Sequence, residues 1–288
     1  MINYNSAAEV ARVLRSRGIV PKKRWGQNFL VSAGVREKLI KLIGPGKEDV
    51  VWEIGAGLGA LTSMLTGKGR KFFIFEIDPG LIDFLKETFG SVNRLYIIEG
   101  DFLKRWQEVR EKEGVPDIIC GNLPYSSGSA IIVSLIKKNC IPDKMVFTLQ
   151  REMARRLIAE PGSKSYSSFS LICQFVYKVK HHGDVRSGSF YPVPDVFSSI
   201  IEMVPHNRFT QLKEREIFFS LVDDLFASRR KTIRNNIFSG KVARNYGINT
   251  LKKALSQSPL NLERRGESLS VDEVVVLAQR IGEVNSGG

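Results

Sequence analysis

The sequence has no run of about 18 apolar residues, which excludes a helical membrane span. Its start, Met1-Ile2-Asn3-Tyr4-Asn5, lacks the charged and apolar regions of a signal peptide. Cysteine is scarce. Cys120, Cys140 and Cys173 are odd in number and far apart, which fits reduced core thiols of a cytoplasmic protein better than a disulfide frame. His181, His182 and His206 have no metal-ligand spacing, and no metal is expected. Negative charge is in deficit: 43 Lys and Arg face 30 Asp and Glu, for a net +13. A polyanion is the natural partner of such a chain. The excess is shared, with 14 cationic and 9 acidic side chains in residues 205–288, so both ends of the molecule can touch phosphate. No internal repeat and no low-complexity tract is present.

The apolar and charged residues that remain are those of a globular chain of 288 residues, long enough for one large domain or two. The pattern is α/β for residues 1–204, with helices expected at 6–17, 34–43, 60–67 and 168–176. Strands are expected at 49–54, 71–76, 94–99, 116–121, 144–149, 176–181 and 200–204. Residues 205–212 read as a linker. Beyond it every pattern is helical, at 213–227, 229–237, 248–255 and 271–281. The expected organisation is thus an α/β domain over 1–204 and a small all-α domain over 205–288.

Four strand ends carry the residues of interest. The first runs into Gly55-Ala56-Gly57-Leu58-Gly59, the strand, glycine turn and helix order of a nucleotide-binding unit. Glycines let backbone approach a ligand, and the helix start offers free N–H groups. The spacing is not the dinucleotide fingerprint, and no Walker lysine follows. The second strand ends on Glu76, 21 residues after Gly55, where a carboxylate can accept both ribose hydroxyls of an adenosine. Ile77 follows it and is placed with it in the cofactor set. The third leads to Asp101, able to accept an adenine amino group, with Phe102 against the ring. The fourth ends at Asn122-Leu123-Pro124-Tyr125. Asn122 can accept a hydrogen bond from an exocyclic amine, and Pro124 biases Leu123 toward an extended conformation that aims its carbonyl at the same amine. Tyr125 offers a flat face to a base. Taken alone, these four residues also suit an ordinary strand-to-helix turn. Lys22-Lys23-Arg24 ahead of Trp25 fits either a phosphate-facing segment or a solvated loop.

Together these segments resemble the class I methyltransferases that use S-adenosylmethionine (SAM), and more closely the ribosomal RNA adenine dimethyltransferases of the small-subunit type. The likeness rests on Gln27-Asn28-Phe29-Leu30, the stretch from Glu53 to Thr62, Asn122 to Tyr125, Phe190 to Ser198, and Arg229 to Asn236, in the family's order. It implies a Rossmann-like sheet with a small all-α C-terminal domain. It implies N6-dimethylation of two adjacent adenosines in a hairpin loop near the 3′ end of small-subunit ribosomal RNA, within an immature small subunit, by a monomer. It further implies that Asn28 and Leu30 border SAM and that Phe190 helps sandwich the target base. RNA contact is expected of Lys22, Lys23, Arg24, Arg151, Arg155, Arg229, Arg230, Lys231 and Arg234; for the last four the alternative is a solvated helix face. Two departures stand out. Trp25 replaces a more usual Phe, and Ser126-Ser127-Gly128-Ser129 is small and polar, which bears on the shape of the target pocket. A large-subunit enzyme of the antibiotic-resistance type, a DNA adenine methylase, and an assembly or transcription factor with secondary catalysis are the other readings.

Overall fold

A computed structural model describes residues 2–22 and 25–286. The chain forms two compact units, Met1–Ala154 with Val179–Pro205, and Arg155–Lys178 with His206–Gly288.

The first unit opens with α1 (Ala7–Ser16), β1 (Phe29–Leu30) and α2 (Ala33–Ile43). There follow β2 (Val50–Ile54), α3 (Thr62–Leu65), β3 (Lys71–Glu76), α4 (Pro79–Phe89), β4 (Leu95–Glu99), α5 (Phe102–Glu113), β5 (Ile118–Asn122), α6 (Gly128–Lys137) and β6 (Lys144–Gln150). Helix α7 (Arg151–Leu157) leads into the second unit, where α8 (Ser168–Val176) lies; β7 (Tyr177–Val185), β8 (Phe190–Tyr191) and β9 (Ser198–Pro205) return to the first.

Seven strands form one sheet in the order β4-β3-β2-β5-β6-β9-β7. The five from β4 to β6 run parallel, and β9 pairs antiparallel to β6. Strands β2, β5 and β6 are almost wholly buried, which is why they read as continuous apolar runs and not as alternation. The strand order reverses between β2 and β5, so the ends of these strands open a crevice in which α/β sheets hold ligands. Helix starts are fixed at the same edge. Asp78 caps α4 through the Gly80 N–H with Pro79 in the first turn, and Asp101 caps α5 through the Leu103 N–H. A second, two-stranded sheet pairs β1 with β8, setting Phe29 opposite Tyr191 and Leu30 opposite Phe190.

The second unit is helical: α8, α9 (Arg208–Gln211), α10 (Arg215–Leu225), α11 (Ile233–Phe238), α12 (Lys241–Tyr246), α13 (Ile248–Ser256) and α14 (Val271–Ser286). Helices α10 and α14 are its central pair, and α8 packs on both. Residues 155–178, placed with the α/β domain from the sequence, group instead with the helices, while the later break falls after Pro205. Helix α8 is buried on almost every face, and Phe175 stacks on Phe218 of α10 with centroids 3.9 Å apart. The helix expected from 229 begins only at Ile233, because Thr232 caps it by accepting from the Asn235 N–H. Arg229, Arg230 and Lys231 therefore lie in a turn. Among the described residues no helix is long and apolar enough to cross a membrane.

Candidate active site

The ends of β2, β3, β4 and β5 surround a cavity of about 290 Å³. Gly55, Gly57, Glu76, Ile77, Asp101, Phe102, Asn122 and Pro124 all line it, as do Asn28 and Leu30. Gly55 and Gly57 hold φ of 74° and 60°, the left-handed region that side chains resist. A Cβ on Gly57 would also stand 3.2 Å from the Phe29 ring on the opposite wall.

Backbone N–H groups fix the carboxylates. Glu76 accepts from Gly57 at 2.8 Å with one oxygen, and from Ile77 at 2.8 Å and Asp78 at 3.0 Å with the other. Burial raises its pKa, and those three bonds oppose the rise. Glu53, inside β2, also faces the cavity. Burial pushes its carboxyl up to about 8; the Thr62 hydroxyl, donating at 2.6 Å, holds it down, and the Glu76 charge adds to the rise. Asp101 spends one oxygen on the Leu103 N–H at 3.0 Å.

Asn122 is clamped from two sides. Its amide nitrogen donates to the Asn28 carbonyl at 2.7 Å. That carbonyl can only accept, so the amide oxygen must point the other way, where the buried Thr148 hydroxyl donates to it. One lone pair of that oxygen is in use and one remains for a substrate amine. Asn28 itself sits on a loop tied down by Asp78. The buried Asp78 carboxylate accepts from Lys22 Nζ and Gln27 Nε2, each at 3.0 Å. Although burial alone raises it, these partners take its pKa below the ordinary value.

Two expectations, for Lys22 and Phe190, need correction. Lys22 is committed to Asp78, with its ammonium 4.2 Å from the Trp25 ring centroid, and is not a free phosphate contact. Lys23 and Arg24 lie outside the described residues. Phe190 is 1% exposed and packs in the core with Leu30 and Ile200, because its pairing with β1 turns the ring inward. It does not line the cavity. Nor do Leu123, which is buried, and Tyr125, whose hydroxyl meets Ser198 Oγ at 2.7 Å. Residues that sequence reasoning missed include Tyr4 and Thr148. Tyr4 lines the cavity and donates to the Leu58 carbonyl at 2.8 Å. Glu53 carried a signal, a lone carboxylate in an apolar strand; Tyr4 carried none.

In the second unit, Arg229 pairs with Glu267 at 2.6 Å and Arg234 with Glu263 at 3.2 Å, while Arg230 and Lys231 are exposed. Arg155 is also exposed, on α7.

The donor set fits SAM. Carboxyl groups of Glu53, Glu76 and Asp101 converge on a cavity walled by glycine backbone, suited to an adenosine that carries a cationic sulfonium and amine. A mostly parallel sheet with that site at its switch point defines a SAM-dependent methyltransferase of the class I fold. The model of the ribosomal RNA adenine dimethylase family matches residues 20–276. The chain belongs to that family. It is 37% identical to a ribosomal RNA small subunit methyltransferase A of Treponema denticola, over 98% of this chain and 97% of the other. It is 36% identical to the protein of that name from Borreliella burgdorferi, over 97% and 95%. A dimethyladenosine transferase from Plasmodium falciparum superimposes with a TM-score of 0.71 at 25% identity, over 88% of this chain and 98% of that one. A 23S rRNA methyltransferase, ErmE, shares the fold at TM-score 0.63 and 20% identity, over 88% and 100%.

Proposed function

We propose that the chain transfers methyl groups from SAM to the N6 amines of two adjacent adenosines in a hairpin loop near the 3′ end of small-subunit ribosomal RNA. It acts as a monomer on an immature small subunit in the cytoplasm. The observation that carries this reading is Asn122, clamped at the cavity wall with one acceptor lone pair left. The names of relatives that match nearly end to end support the small subunit over the large.

Bound SAM supplies a methyl group on a positively charged sulfur. The chain supplies position and electrostatics. An adenine amine is a weak nucleophile because its lone pair is delocalised into the ring. The Asn122 oxygen accepts an N–H of that amine and favours a pyramidal nitrogen as positive charge grows there. The new C–N bond replaces the S–C bond, and the surplus proton leaves to water afterwards, so no strong base is needed. Gly55, Gly57 and Glu76 hold the adenosine part of the donor, and Asp101 and Phe102 its base. The target adenosine must leave its stack to reach Asn122. With Phe190 buried, Pro124 is the member of the expected target-binding set, besides Asn122, that lines the cavity.

The test is incubation with SAM carrying a labelled methyl, using immature small subunits, large subunits or duplex DNA. Label should enter small-subunit RNA alone, to four methyls per subunit. Label in large-subunit RNA or DNA overturns the reading.

A further inference from the structure

Segment 191–198 leaves three large apolar side chains in solvent within five residues: Val193 at 62% exposure, Val196 at 43% and Phe197 at 42%. Single exposed apolar residues are ordinary, but a contiguous group is not. This group is held stiffly. The Phe197 carbonyl accepts from the Arg151 N–H at 2.9 Å, and Ser198, the next residue, pairs with Gln150 in the main sheet. The Arg151 guanidinium lies over the Phe197 ring, 4.7 Å from its centroid.

The position matters. Ser198 Oγ meets the Tyr125 hydroxyl, and Tyr125 follows Pro124 on the cavity wall. Phe197 is therefore the neighbour of a residue that touches the turn after Asn122. Drawing one adenosine out of a stack leaves its neighbours with uncovered faces. Unstacked bases are commonly met by aromatic rings or guanidinium planes, and Arg151 sets a cation beside this ring. The chain as a whole carries +13, which favours a polyanionic partner, and at this rim Arg151 also stands 3.9 Å from Asp184.

We propose that Phe197, backed by Arg151, is a stacking plate for an unpaired nucleotide that flanks the adenosine being methylated. The inference rests on the proposed function, whose target it refines. Phe197 acts on substrate RNA and not on SAM.

Two measurements test it on the full chain with immature small subunits. In the first, Phe197→Ala and Phe197→Leu should each raise KM for subunits about tenfold, the scale of losing one base–aromatic stack, and Phe197→Trp should restore it to within about twofold. Affinity for SAM should not change in any of the three. A Leu variant that matches wild type shows that no ring is needed and overturns the plate. In the second, p-benzoylphenylalanine is placed at position 197 and photolysed on the subunit. Crosslinks should stop reverse transcription beside the methylated adenosines. Crosslinks to a ribosomal protein, or to distant RNA only, overturn the proposal. A wild-type chain that labels no small-subunit RNA overturns both readings, whereas normal labelling with an unaltered Leu variant overturns this one alone.

Discussion

The strand-end cavity and the basic turn at Arg229–Arg234 both hold charged groups, but by opposite means. At the cavity, Glu76 and Asp101 are fixed by N–H groups one to two residues along the chain, and Glu76 also by Gly57. These bonds form as the backbone forms. At the turn, Arg229 and Arg234 are met by the side chains of Glu267 and Glu263, largely in solvent. Such surface pairs contribute about 0–1 kcal/mol each. The first region is preorganised for one ligand. The second holds its cations in pairs weak enough to exchange a carboxylate for a phosphate.

The contrast can be broken most sharply at Asn122. Asn122→Ala should lower the single-turnover methylation rate about 10²–10³-fold, the scale for one stabilising group in a transition state, while SAM binding changes little. A loss accounted for by binding alone would make Asn122 a turn residue. Next, Glu76→Ala should weaken SAM binding by about 1–3 kcal/mol, since the ribose and the Gly57 N–H lose a shared partner. Calorimetry with unchanged affinity removes Glu76 from the ribose. In the basic turn the effect should be smaller and salt-dependent. Reversing Arg230 and Lys231 to Glu should weaken subunit binding about tenfold and reduce the slope of log affinity against log salt by about 1 per residue. An unaltered slope identifies a solvated face.

A pH-dependent effect concerns Glu53. Its raised pKa means that the folded state holds a proton the unfolded chain gives up. That stability is full below the ordinary value of 4.5 and is lost as pH rises through about 8. Glu53→Gln keeps an acceptor for Thr62 and cannot ionise. Its melting temperature should therefore gain on wild type between pH 5 and pH 8, by about 2–4 °C for each kcal/mol regained. Parallel melting curves across that range would show Glu53 to be charged throughout.

What could be read in the sequence follows the same division. Buried parallel strands announce themselves as apolar runs, so Lys71–Glu76 and the positions of Gly55, Glu76, Asp101 and Asn122 at strand ends were legible. The pairing of β1 with β8 was not. Two residues per strand carry no period, and that pairing is what turns Phe190 inward. Lys22 looked like its cationic neighbours; only the fold brings a buried Asp78 to it, 56 positions away. Thr148 gave no sign of serving Asn122, because a hydroxyl in a strand is an ordinary β residue. Helix α8 was recognised as a helix, but its apolar surface all round did not say which unit would cover it.

Asp78 has a consequence for the wall it anchors. One oxygen of this buried carboxylate serves two donors from the same loop, Lys22 and Gln27. The other oxygen serves the Gly80 N–H, so removing Lys22 or Gln27 leaves a buried carboxylate short of a partner. Asp78 thus acts as a rivet through Lys22 and Gln27, the two described points that flank the approach to Asn28. Because Asn28 follows Gln27 and its carbonyl holds the Asn122 amide, a carboxylate that touches neither the cavity's ligand nor Asn122 sets where that amide stands.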